Sequence, residues 1–434
     1  MIFVILTCIS LAVLIVAWFL YRRNMELFLC LLIAIYFEFF YLLPRIMGPD
    51  DYKLLLLPMM LVLLFESFVS GQLSLGRYGW WVICFIGISI FGIMVAWSSG
   101  QGISLGIKAA KFIPLVMVYF LLAGRKIDAE KFSTYFIVMS LAVAALATIS
   151  FLTHGTINFF SGRPLDILVQ EPESLRITTG QFIISAAAVM AFARYNESSR
   201  IRFLFASTVL FAEVLFVQQT RGFIVAIFLG MLVVYILSRK LTMVRVSLYL
   251  IFTGCCLASW LLLSGVDFNS IGFVKRTQTD MVKRHGSYGG SLQARLNAYD
   301  YYWKQLQKQP VIGRGLLNFN WEGNPERRLQ QYYGIHLSDI GVMNFLVQAG
   351  LIGAIWLVYG LFRLWKDVLL YRKHLVVACY FIIGTFTMPT LDMFFRNDSL
   401  FLFAVFLGLS SGIIAAAKTD AVPEGPDPWM CLSS

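Results

Sequence analysis

The residues whose types and spacing suggest chemistry are few, and most are basic. His336 and Asp339 stand three positions apart at the start of the apolar run HLSDIGVMNFLVQAGLIG. Positions i and i+3 share a helix face, so the carboxylate is placed to orient the imidazole or raise its basicity. A histidine near its ordinary pKa of about 6.5 is suited to taking a proton from a hydroxyl. The pair also reads as interfacial decoration, with the aspartate favoured by the dipole at a helix start. Arg221 follows Gln218, Gln219 and Thr220 at the head of another apolar run. There it is either a snorkelling anchor or a ligand for an anion. Lys108 and Lys111 lie one turn apart inside an apolar segment, where an ammonium is costly. They either snorkel to the interface or hold a phosphate or diphosphate as point charges. Arg163 and Arg176 add two cations in the segment 154–176, which a solvated loop would also explain.

The elements that must position these groups are membrane helices. The chain has 434 residues, 59% of them hydrophobic and 14% charged, with a mean hydropathy of +0.75. Repeated apolar stretches of bilayer length predict an all-α, polytopic transmembrane bundle. About thirteen spans are expected, at roughly 1–20, 25–43, 54–70, 79–97, 105–123, 133–153, 178–194, 202–217, 222–238, 243–264, 337–362, 376–390 and 398–417. The first stretch has the length of a signal peptide but lacks a basic leader and a small-residue cleavage site, so it is expected to be a retained span.

Alternate connections differ in charge. One set holds seventeen Lys or Arg, including Arg77, Arg125, Arg194, Arg239, Arg363 and Lys373, and the opposite short connections hold six. The richer set marks the cytoplasm. This puts the N-terminus outside, the C-terminus inside, and Arg221 and His336 at the outer face. The expected organisation is ten spans over 1–264, a large outer loop over 265–335, three spans over 336–417, and a disordered cytoplasmic tail over 418–434.

Within the large loop, SLQARLNAYDYYWKQLQKQP reads as one helix, with Ser291 as N-cap and Pro310 as the stop. Leu292, Leu296, Tyr299, Trp303 and Leu306 recur at helical spacing and predict its apolar face. Such a helix lies on the membrane surface or roofs a cavity between spans. Arg295 falls on the flank of that face and is the basic residue best placed to look into a site.

Several classes are disfavoured. The net charge of +11 is explained by cytoplasmic loops and anionic membrane lipids, so nucleic acid is not an expected partner. Of seven cysteines, six lie in apolar stretches and one in the tail, which implies no disulfide framework. His154 and His285 have no partner at metal-ligand spacing, the Asp50-Asp51 pair reads as a turn, and no metal or cofactor is expected. Glu38, Glu66 and Glu213 lie in spans, as packing features or members of a proton relay. No P-loop, dinucleotide fingerprint or GxSxG is present. What remains is a group of outer cations, one candidate base and a roofed membrane cavity. That combination suits a lipid-linked diphosphate whose leaving group is stabilised by fixed positive charge. A transporter or flippase of lipid-linked sugars is the alternative, and would spread its charges through both halves of the membrane.

Three features in order resemble the O-antigen polymerase and O-antigen ligase superfamily. They are QTRG opening a span, RLNAYDYYWKQLQKQPVIGRG with its Pro-x-x-Gly-x-Gly turn, and a histidine that closes the large loop and leads into the next span. The resemblance covers about residues 215–362. It implies a type-C glycosyltransferase of the bacterial inner membrane, acting at the periplasmic face. The donor would be an undecaprenyl-diphosphate-linked glycan, and the acceptor another glycan or lipid A-core. It further implies Arg221 and Arg295 on the diphosphate and His336 as the base for the acceptor hydroxyl. Trp303, Pro310, Gly313 and Gly315 would shape the loop. Ligases usually have His-Asn where this chain has His336-Leu337, which favours a polymerase. A partner that regulates chain length fits the same setting.

Overall fold

The computed structural model describes residues 12, 15–37, 56–154, 156–157, 159, 177, 180–238, 291–324, 326–327, 340–371, 375–389, 391 and 399–420. The regular structure among the described residues is entirely helical. In chain order it comprises α1 (Met25–Tyr36), α2 (Leu56–Val69), α3 (Gly79–Ser98) and α4 (Ile103–Ala109). A 3-10 turn (Ile113–Met117) leads into α5 (Val118–Ala123), followed by α6 (Ala129–Leu152), α7 (Gln181–Ser198) and α8 (Ile201–Glu213). A π-helical turn (Val214–Gln218) precedes α9 (Arg221–Ser238), α10 (Ser291–Lys308), α11 (Val342–Leu370), α12 (Leu375–Thr387) and α13 (Leu400–Asp420).

Six of these helices, counting α8 with its π turn, are long and apolar enough to cross a bilayer. The α4–α5 pair, bent by 46°, makes a seventh if it is one broken span. The protein is therefore a polytopic helical membrane protein. The expected spans at 25–43, 54–70 and 376–390 correspond to shorter apolar helices, α1, α2 and α12. The stretch 243–264 and most of 1–20 lie outside the described residues.

Surface composition shows which solvent the bundle meets. Leu351, Ile355, Val358 and Phe362 of α11 recur at helical spacing and are all exposed. Water would penalise that stripe, and lipid does not. Trp80 and Trp97 are exposed at opposite ends of α3, seventeen residues or roughly 26 Å apart, near the spacing of the two aromatic belts of a membrane.

The core gathers around α7, which packs on α6, α8, α9 and α12. Its stretch SAAAVMAFA is almost all small residues, and α7 is buried from Gln181 to Arg194. Small side chains let helices approach closely where no hydrophobic effect drives them together. Gly230 of α9 accordingly sits against Val189 and Ile383. A second group joins α3 to α11. Trp81 Nε1 donates to the Trp356 carbonyl at 3.0 Å and Trp356 Nε1 returns a bond to the Trp81 carbonyl at 2.9 Å. The two rings stack at 4.6 Å. Buried Asp367 of α11 accepts both arms of the Arg77 guanidinium and the Tyr78 hydroxyl, the latter at 2.6 Å.

The Pro310–Gly315 turn supplies the main irregular join. α11 breaks at Gly350, whose φ of 61° and ψ of −153° are open only to glycine. The break frees carbonyls and amides that the turn then uses. Arg314 N donates to Val347 O at 2.8 Å and Gly315 N to Gln348 O at 3.0 Å. Leu351 N donates to Pro310 O at 2.8 Å. On its other side the turn meets α3, where Leu316 N donates to Gly92 O at 2.9 Å. Gly92 lies on the bilayer side of Trp97, so this backbone enters below the aromatic belt. Irregular backbone is tolerated at such depth only when its polar groups are satisfied. A methyl on Gly350 would stand 2.5 Å from Gly313 N, and one on Gly313 2.6 Å from Gln348 O. Gly350→Ala is expected to destabilise the protein by about 2–3 kcal/mol, read as a lowered melting temperature of purified protein; an unchanged melt would mean the turn and break are not joined this way.

Candidate functional site

The loop helix α10 runs from Ser291 to Lys308 and ends before Pro310, as its sequence predicts. Its packed face differs from the expected one. Ala298 and Tyr302 are buried, and Tyr299 and Leu306 are partly buried, against Ile340, Met343 and Val347 of α11 and its head. Leu296 and Trp303 are exposed. The expected stripe followed apolar side chains alone. Tyrosine wins the inner face because its hydroxyl reaches carbonyl groups there, while the membrane surface accepts leucine and tryptophan. Arg295, half-buried, lies one turn before Tyr299 and so belongs to the packed face, not its flank.

Tyr299 is the fastening point. Its hydroxyl donates to Ile340 O at 3.1 Å and also contacts Pro389 O, just beyond α12. Burial pushes the phenol upward, and the nearby Arg295 guanidinium pulls it back. α10 is thereby tied to the head of α11 and to the turn after α12. Val342 N donates to Met388 O at 2.8 Å, so those two ends are themselves joined.

Arg221 opens α9, which packs along α7 and α12. The π turn before it ends at Gln219 in a left-handed conformation, φ 53°. Thr220 Oγ1 lies 3.3 Å from Gln181 Oε1 at the start of α7. Beneath this turn Glu213 and Gln218 are buried, and their side chains interact with each other. A π turn uses one extra residue to displace side chains from the regular ladder, often at functional sites. α12 is the element common to both arginines, with α9 along its body and α10 fastened at its end.

The two lysines are not buried as their apolar surroundings suggested. Lys108 is exposed in the last turn of α4, and Lys111 sits over the Phe112 ring at 4.8 Å, at the break before the 3-10 turn. α4 is held to the large loop, since Asn318 Nδ2 donates to Leu105 O at 3.0 Å. Gln101 completes the join, with Nε2 donating to Leu316 O at 3.0 Å and Oε1 accepting from Asn318 N at 2.7 Å. His336, Asp339, Arg163 and Arg176 lie outside the described residues.

Three polar residues escaped the sequence reading. Arg314 projects from the inserted turn, and its buried Nη1 has no partner among the described residues. The Tyr302 hydroxyl is buried and unpaired likewise. Glu326 interacts electrostatically with both; burial raises its carboxyl to about 7, against the opposing pull of Arg314. The signal for Arg314 was its place inside the Gly-x-Gly pair, where only its side chain is free to project. Glu326 carried none. Its proton is held more tightly in the folded chain than in the unfolded one, where the ordinary value is near 4.5. Stability is therefore expected to fall as pH rises from about 4.5 toward 7 and to level off above. Glu326→Gln should flatten that slope in melting curves taken from pH 5 to 8; an unchanged slope would assign it to other groups.

These contacts draw α4, the inserted turn, α10, the head of α11 and the end of α12 into one end of the bundle, with cations on several of them. A search of curated proteins finds no match to the chain. Residues 206–358 match the family model described as O-antigen ligase. The matched region, about a third of the chain, contains Arg221, all of α10 and the Pro310–Gly315 turn, and it supports the resemblance to the O-antigen polymerases and ligases.

Proposed function

We propose that the protein is a polysaccharide polymerase of the inner membrane. It joins undecaprenyl-diphosphate-linked repeat units at the periplasmic face. The acceptor hydroxyl attacks the anomeric carbon of the donor, the bond from that carbon to the diphosphate oxygen breaks, and the hydroxyl proton passes to His336. Arg221 and Arg295 take the departing diphosphate, where fixed positive charge lowers the barrier most. Lys108, Lys111, Arg163 and Arg176 draw the anionic donor to the site, and Asp339 orients the imidazole.

The observation that carries this reading is the fastening of Tyr299 to Ile340 and Pro389. It holds Arg295, one turn away, over the head of α11. His336 precedes Ile340 by four residues, and four extended residues span at most about 14 Å. That connection supports a base and a guanidinium acting on one substrate. The guanidinium and ammonium groups supply the charge that a divalent ion supplies elsewhere.

The second reading is an O-antigen ligase that transfers the glycan to lipid A-core. The matched family model covers both activities, and Leu337 after His336 favours the polymerase. Purified protein given lipid-linked repeat units, with and without lipid A-core, separates them. Self-extension without the core is the expected outcome, and product only with the core would establish the ligase. His336→Ala is expected to abolish product with an unchanged melting temperature, and normal polymer in that variant would remove the base assignment. Arg295→Lys should lower the rate at least ~10-fold, because an ammonium cannot make two parallel bonds to phosphate. Full activity there would reduce Arg295 to a point charge. Activity is expected to survive a chelator, and strict dependence on a divalent ion would contradict transfer by these cations alone.

A further inference from the structure

A cavity of about 300 Å³ opens beside the C-terminal end of α10, away from Arg295. Gln305 and Lys308 of α10 and Gln309 just after it form one wall, and Arg314, Trp321 and Ser99 are among the residues that line the rest. Along α10 its lining residues lie ten and thirteen residues from Arg295, roughly 15–20 Å at the helical rise. It is thus a separate place on the same end of the bundle.

Its lining has a specific chemistry. Two cations, Lys308 and Arg314, stand beside two side-chain amides and an indole. The Arg314 backbone is pinned by its bond to Val347 O at 2.8 Å, so its guanidinium is presented from a fixed base. One of its nitrogens is buried and makes no hydrogen bond among the described residues. The guanidinium lines the cavity and is also felt by the Glu326 carboxyl. Trp321 is likewise fixed, with Gly323 and Gly100 against its ring. An indole offers an apolar wall to a sugar ring, and amides bond its hydroxyls in either direction. Ten Lys or Arg against five Asp or Glu over residues 265–335 give the whole loop a field for anions.

We infer that this cavity is a glycan subsite for a carboxylate-bearing sugar, with the ring against Trp321 and the carboxylate on Lys308 and Arg314. It rests on the proposed function for its biological role, since it receives the sugar chain whose diphosphate end lies at Arg295. Binding of a free sugar does not require transfer and is tested apart from it. A charged bond of this kind is worth about tenfold or more in affinity.

The test uses the full chain in lipid nanodiscs, without any lipid-linked donor. Digalacturonate is the probe, maltose the neutral control, and sulfate the competing anion, followed by saturation-transfer NMR. Digalacturonate is expected to bind at least ~10-fold more tightly than maltose, and Lys308→Gln and Trp321→Ala are each expected to weaken it by about that factor. Lys308 is exposed, so its replacement leaves the fold intact. Arg295→Gln should stop transfer while leaving digalacturonate binding unchanged. No digalacturonate binding, equal binding of maltose, complete displacement by equimolar sulfate, or binding indifferent to Lys308→Gln and Trp321→Ala would each overturn the inference. A chain that binds digalacturonate but transfers nothing would count against the transferase reading alone.

Discussion

The backbone exchange between the Pro310–Gly315 turn and the broken helix α11 is the constraint on which this end of the bundle depends. Gly350 interrupts the hydrogen-bond ladder of a 29-residue helix, and an interrupted ladder in lipid must find other partners. The turn provides them at Val347, Gln348, Leu351 and Ile352. It must be thin to do so, which is why glycine meets glycine at 313 and 350. Once seated, the turn fixes where α10 ends, where Arg314 projects, and how Leu316 and Asn318 reach α3 and α4. A surface loop is thereby converted into a wedge between membrane helices.

The second fastening is chemical. Tyr299 carries a hydroxyl to two carbonyl groups that belong to different parts of the chain. With the turn at one end of α10 and this bond at its middle, the helix has little freedom to roll. Its inner face presents Arg295, Ala298, Tyr299 and Tyr302, while Trp303 and Leu296 look outward. On the proposed reading, rigid placement matters for Arg295, because an unheld side chain would spend the gain on ordering itself. Further in, α7 gives the bundle a close-packed axis, and the Asp367–Arg77–Tyr78 cluster ties α3 to α11.

Much of this was legible in the residues. Apolar runs of bilayer length marked the membrane helices, and Ser291 and Pro310 bounded α10 because caps and breakers act locally. QTRG and the Pro-x-x-Gly-x-Gly turn pointed to the superfamily that the matched family model supports. Local rules failed where tertiary partners decide. Periodicity put Trp303 inside, since hydropathy does not count a tyrosine hydroxyl that finds a carbonyl. The break at Gly350 was hidden within one continuous apolar run. The bend between Ile103–Ala109 and Ile113–Ala123 was hidden in the same way, and it left Lys108 exposed where a straight span would have buried it. Arg314 and Glu326, distant in helical pattern and unremarkable in type, became a pair only through the fold.

The central claim is that Arg221, on α9 along α12, and Arg295, on α10 fastened just beyond the end of α12, converge on one diphosphate. An electron cryomicroscopy map of the protein with undecaprenyl diphosphate bound tests this most directly. The account predicts diphosphate density between the two guanidinium groups, beneath α10 and beside the head of α11. Diphosphate held by neither arginine, or the two side chains directed to separate cavities, would contradict it.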